Sequence, residues 1–138
     1  MDYIKSIIKK YEHQLAQVKY DPYYIQHVKV QTPENCFEAV SKNGYTISYV
    51  KNKTHELCLA AVKNNAMSLC YIVGIHQTRE ICLAAAEKKI VAITYIHDPD
   101  CITKEEMKKI LELPHNIDIR KYYNNGKNNL EKRISYYE

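Results

Sequence analysis

The feature that most constrains this chain is a threefold internal recurrence. With Thr32, Thr54 and Thr78 set in register, at spacings of 22 and 24 residues, eight further columns agree. Glu34, Glu56 and Glu80 align, then Cys36, Cys58 and Cys82, then Phe37, Leu59 and Leu83. Ala39, Ala61 and Ala85 follow, then Val40, Val62 and Ala86. Later columns hold Ile47, Leu69 and Ile93; Tyr49, Tyr71 and Tyr95; and Val50, Ile72 and Ile96. A worn copy lies 22 residues upstream, where Leu15, Val18, Ile25 and Val28 fall on apolar columns, and Ile102–Leu113 reads as one more first half beginning at Thr103. Periods of this length belong to repeat architectures.

Each unit carries its own punctuation. The threonines stand where a helix cap belongs, because their hydroxyl oxygens can accept from an orphaned backbone N–H. Pro33 suits the first helical position, and the glutamate two residues after each threonine meets the positive end of the helix dipole. Cys36, Phe37 and Val40 share a face at helical spacing, so each unit opens with a helix of about ten residues. Asn43-Gly44 marks its end, since glycine accepts the left-handed conformation that helix ends often need. Asn64-Asn65 and Lys89-Ile90 occupy the same corner in the next two units. A shorter second helix, from Tyr45 to about Lys51, closes the first unit, and the two extra residues between Thr54 and Thr78 fall in a loop within Val73–Gln77.

One such unit buries too few apolar side chains to offset the entropy of ordering its backbone. Units must therefore stack, and the expected fold is all-α: a short α-solenoid of helix–turn–helix repeats of about 22–24 residues. The expected organisation is a single domain over residues 1–138. Residues 1–29 form an N-terminal capping helix and degenerate repeat, 30–101 three helical hairpins, 102–113 a C-terminal half repeat and 114–138 a polar tail or capping segment. Ile4, Ile7, Ile8, Tyr11, Leu15 and Val18 give the first helix one apolar stripe, with Lys5, Lys9, Lys10 and Lys19 mostly off it.

The unit T-x-E-x-C-[LF]-x-A-[VA], followed after about seven residues by [IL]-x-Y-[VI], resembles a short helical repeat family of unknown function abundant in giant DNA viruses of amoebae, the mimivirus-like group. Thr32–Lys63 is particularly similar, and the resemblance covers roughly residues 15–113. It implies an intracellular protein of such a virus or of an associated element such as a virophage, in the host cytoplasm, the viral factory or the virion. It implies no catalytic residue.

Composition narrows the function classes. The net charge is +4, and residues 30–113 balance ten basic against ten acidic side chains, so the excess sits at the two ends. A strong nucleic-acid binder usually shows a denser basic patch. The five cysteines include no CxxC, and no histidine pair has zinc-site spacing. The start of the chain lacks the unbroken apolar stretch of a signal peptide, and Ile81–Ala86 is too short to cross a bilayer. The expectation is a soluble, intracellular protein with reduced thiols and no membrane partner.

Three cysteines in one repeat column read as core filler, because a nucleophile needs a lowered pKa and a base within reach. Cys70 and Cys101 lie off that column, and the six histidines are scattered. No phosphate-binding glycine loop and no Ser/His/Asp set occurs, so the chain is read as a non-enzyme without cofactor or metal. The leading function is a protein-interaction module for a viral or host protein; the ladder Tyr49, Tyr71 and Tyr95 reads either as packing between neighbouring helices with the hydroxyls reaching water or as partner-binding residues. The alternative is nucleic-acid binding through the basic termini, where Lys121, Tyr122, Tyr123, Lys132 and Arg133, beside Tyr136-Tyr137, would stack on and neutralise a single strand. Self-association through a terminal face is a third route to a partner.

Overall fold

A computed structural model describes residues 1–116 and 129–138. Among these residues the chain is all-α, without a strand. Six α-helices appear: α1 Asp2–Tyr20, α2 Pro33–Lys42, α3 His55–Asn64, α4 Arg79–Lys88, α5 Lys104–Leu111 and α6 Asn129–Tyr137. Short 3-10 helices link them, the longer ones at Pro22–His27, Gly44–Tyr49, Ala66–Tyr71 and Ile90–Tyr95. The elements pack in sequence order as two rows. In one, α1 lies on α2, α2 on α3 and α3 on α4; in the other, the four longer 3-10 helices lie against one another in turn. At the far end α6 packs against Ile90–Tyr95 and α5.

The threonines cap as their positions imply. Thr32, Thr54 and Thr78 Oγ1 accept from the N–H of Asn35, Leu57 and Ile81 at 3.1, 3.3 and 3.5 Å. Thr103 does the same for Glu106 at 3.2 Å, and the Glu106 carboxylate returns the bond to Thr103 N at 2.9 Å, a reciprocal capping box.

The second half of each unit is a 3-10 helix rather than an α-helix, and its period explains the choice. Three residues per turn put every third side chain on one line. Gly44, Ile47 and Val50 fall on that line, as do Ala66, Leu69 and Ile72, and Ile90, Ile93 and Ile96; all are buried. Asn43 and Asn65 start two of these helices by accepting from Tyr45 N and Met67 N at 3.1 and 3.0 Å. The two-residue insertion forms a single 3-10 turn, Gly74–His76, with Gly74 at φ 58°.

Gly44 is not left-handed, contrary to the helix-stop reading, for Gly74 is the described glycine with positive φ. Its reason is a close approach. A Cβ there would stand 2.6 Å from Ser68 Oγ and closer still to the Ala61 carbonyl oxygen. Gly44 N also donates to Asn64 Oδ1 at 2.7 Å, while Asn64 Nδ2 donates to Ser41 O at 2.9 Å. At the Lys89-Ile90 corner the same two bonds come from two residues. His115 Nε2 meets Glu87 O at 2.7 Å, and Asn116 Oδ1 accepts from Ile90 N at 3.4 Å.

Two faces differ from expectation. In the column of Phe37, Leu59 and Leu83, Phe37 is 54 % exposed while Leu59 and Leu83 are half-buried against the edge of the core, and the buried face runs through Asn35, Leu57 and Ile81 instead. The stripe of α1 is buried only near its C-terminus. Val18 is fully buried, whereas Ile4 and Ile8 stay exposed, because α2 has ten residues to cover a helix of nineteen.

Candidate protein-interaction groove

The row of 3-10 helices builds an aromatic surface. In each, the line facing inward takes the aliphatic residues, and the tyrosines four apart, such as Tyr45 and Tyr49, take other faces. Tyr23 meets Tyr49 edge-to-face at 6.1 Å, and Tyr45 meets Tyr71 at 6.0 Å, with interplanar angles of 79° and 86°. Each pair joins one 3-10 helix to the next, in the T-shaped geometry the ring quadrupoles favour. Met67 stands where a third such tyrosine would face Tyr95. Together these side chains, with Ser48 and Cys70, line a groove of about 380 Å³ that carries no charged residue.

The structure thus brings Tyr49, Tyr71 and Tyr95 into one groove, each about two-fifths exposed. The hydroxyl of Tyr71 is held above its ordinary pKa, first by the adjacent Cys70 thiol, then by burial and the neighbouring phenols of Tyr45, Tyr49 and Tyr23. It remains a hydrogen-bond donor at neutral pH. The Tyr23 hydroxyl accepts from Asn43 Nδ2 at 3.2 Å. His27, at the matching position of the worn unit, turns to Tyr24 instead, 5.7 Å away.

Two glutamines hold the backbone under this ladder, and periodicity alone did not reveal them. Gln31 Nε2 donates to Tyr49 O at 2.9 Å and Ile25 O at 3.2 Å, while its Oε1 accepts from Lys51 N at 2.9 Å. Gln77 Nε2 donates to Tyr95 O at 2.8 Å and Ile72 O at 2.7 Å, with Oε1 accepting from His97 N at 3.0 Å. The legible signal is the dipeptide Gln-Thr at Gln31 and Gln77, directly before two of the caps. Lys53 occupies the equivalent place before Thr54 and reaches Val50 O at 2.9 Å.

Other candidates carry less. Burial raises the pKa of all five thiols, and Cys82 is pushed up to about 12, first by burial and then by its hydrogen bond to Cys101. None is a thiolate at neutral pH, as a nucleophile would be. Among the described residues no group of three or more His, Cys, Asp or Glu could hold a metal ion. A wider cleft of about 680 Å³ lies between the N-terminal ends of α2 and α3, with Phe37, Pro33 and Leu57 as its apolar walls and Glu34 and Glu56 at its mouth. It spans two layers only, whereas the tyrosine groove spans four.

At the C-terminus, Lys121, Tyr122 and Tyr123 lie outside the described residues. Lys132 is exposed and Arg133 half-buried. Of their tyrosine neighbours, Tyr137 is buried, while Tyr136 is held by its hydroxyl and stays 47 % exposed. Tyr136 donates to the Asp100 carboxylate, Tyr137 donates to Pro99 O at 2.7 Å, and Tyr137 is 7 % exposed.

Comparison with known proteins returns no match of any kind: no family model, no curated protein and no solved structure.

Proposed function

We propose that the chain is a short α-solenoid that works as a non-enzymatic interaction module, taking an extended segment of another protein along the tyrosine groove. One observation carries this reading: edge-to-face tyrosine pairs bridge successive layers and leave half-exposed rings along one uncharged channel. Aromatic side chains offer large contact area at small entropic cost, which is why they recur at binding hot spots. Stacked helical layers lie roughly 8–10 Å apart, and one turn of a polyproline-type strand rises about 9.3 Å. An extended, uncharged, proline-bearing peptide would therefore present every third residue to a new layer. The partner in this reading is a viral or host protein of an infected cell, which is what the sequence resemblance implies.

The test is capture of partners from infected amoebae by wild type and by a Tyr49→Ala/Tyr71→Ala double variant, with mass spectrometry as readout. A partner held in stoichiometric amount by wild type and lost from the folded variant is the expected result. Absence of a reproducible partner, or equal capture by both proteins, overturns the reading.

A further inference from the structure

The first helix is longer than anything it packs against. Its nineteen residues span about 28 Å at 1.5 Å per residue. The column register sets Val18 beside Val40, so the ten residues of α2 match Tyr11–Tyr20. Residues Asp2 to Lys10 therefore project past the start of α2, and all of them are exposed except Ile7, which is half-buried. Tyr3 is 77 %, Ile4 61 % and Ile8 51 % exposed, against 0 % for Val18 on the same stripe. A free helical segment of this length is marginal in water, so cover for the stripe would also stabilise the segment.

The pattern around the stripe identifies the cover. At 100° per residue, Ile4, Ile7, Ile8 and Tyr11 fall within a sector of about 100°, with Lys5 and Lys10 roughly 110° to either side of its centre. Lys9 lies on the polar face behind them. Lysines flanking an apolar stripe can run their aliphatic stems along the apolar boundary and keep the ammonium groups outside it. A nucleic acid would meet the lysines but give Ile4 and Ile8 nothing apolar to enter.

We propose that the N-terminal half of α1 lies in the plane of an anionic lipid surface, with Ile4, Ile8 and Tyr11 in the headgroup–acyl boundary and Lys5 and Lys10 among the anionic headgroups. Interfacial helices have this division of faces. No described helix is long and apolar enough to cross a membrane, so the association is peripheral and reversible. It goes beyond the tyrosine-groove reading by placing the groove at a membrane surface, and it does not depend on that reading.

Flotation of the full chain with vesicles tests it, comparing pure phosphatidylcholine with mixtures holding about 30 mol% phosphatidylserine. The chain is expected to float with the anionic vesicles only and to release as salt rises. Lys5→Gln/Lys10→Gln should weaken binding about 30-fold, at roughly fivefold per lysine. Ile4→Asn/Ile8→Asn should abolish flotation while leaving the thermal midpoint unchanged, because both side chains are exposed. The proposal is overturned by failure of wild type to float with anionic vesicles, or by flotation indifferent to the isoleucine pair. It is equally overturned if the isoleucine pair instead converts a dimer to a monomer in light scattering, which assigns the stripe to a second copy. Single-stranded DNA binding that needs the lysines but ignores the isoleucines, without flotation, assigns the lysines to nucleic acid and overturns it too.

Discussion

Gly44→Ala probes the close approach of the layers. Residue 44 opens a 3-10 helix at negative φ, where alanine is ordinarily tolerated and, through the unfolded state, gains about 0.4–1 kcal/mol. Here the new Cβ would sit 2.6 Å from Ser68 Oγ, about 0.8 Å inside ordinary contact, and closer still to the Ala61 backbone oxygen. The serine can rotate; the carbonyl, which already accepts from Asn65 N at 2.8 Å, cannot. Relief requires moving Gly44–Tyr49 away from α3, which lengthens the 2.7 Å bond from Gly44 N to Asn64 Oδ1. Overpacking of this kind costs about 1–3 kcal/mol and a weakened buried hydrogen bond about 1 kcal/mol. Less the unfolded-state gain, the net loss is about 1–3.5 kcal/mol, a fall of roughly 3–12 °C in thermal midpoint for a chain of this size. Urea and thermal unfolding followed by far-UV circular dichroism measure both. Adding Ser68→Ala should recover only a minor part, since the carbonyl clash remains. A Gly44→Ala protein as stable as wild type, or more so, would refute the close approach of the two layers.

Other outcomes follow from single side chains. Asn35 is 2 % exposed, its Nδ2 has no hydrogen-bond partner, and Leu57 and Ile81 hold its place in the neighbouring helices. Asn35→Leu should therefore raise stability by about 1–2 kcal/mol in urea titrations, and a destabilised variant would contradict the assigned face. Burial lifts the Cys82 thiol from 9.0 and the Tyr137 phenol from 10.0, each to about 12. Both groups are neutral when protonated, so the stability they contribute is complete below about pH 9 and is lost as the pH rises from 9 towards 12. Cys82 should likewise resist alkylation at pH 8 until the chain unfolds; rapid native labelling would contradict its burial. Gln77→Ala removes three bonds anchoring Tyr95, Ile72 and His97 and should cost about 2 kcal/mol, with hydrogen exchange accelerated locally at Ile90–Tyr95.

Much of the local structure was written in the residues. The threonine caps, the starts of α2 to α5 and the burial of Cys36, Cys58 and Cys82 follow from spacing and capping chemistry. The tyrosine column named three residues that do share a groove. What escaped depended on direction and neighbours. A column of Phe37, Leu59 and Leu83 is apolar whichever way it points, and only the adjacent helices decide that Asn35, Leu57 and Ile81 go inside. Ile47 and Val50, three apart, fit an α-turn nearly as well as a 3-10 turn; a six-residue segment started by Asn43 takes the tighter one. Gly44 reads as a helix stop because a close approach between layers distant in the chain leaves no local signature. Gln31 and Gln77 are polar residues in a loop until their partners are seen, and Tyr23, which the 22-residue shift sets on Tyr45, stays unmarked because Met67 breaks that column.

The groove itself is tested most directly by proton–nitrogen correlation spectra of the labelled chain, titrated with an extended proline-bearing segment of its captured partner. The expected shifts centre on Gly44–Tyr49, Ala66–Tyr71 and Ile90–Tyr95 and vanish in Tyr49→Ala/Tyr71→Ala. Shifts confined instead to the cleft of Phe37 and Leu57, or none at saturating peptide, would contradict the account.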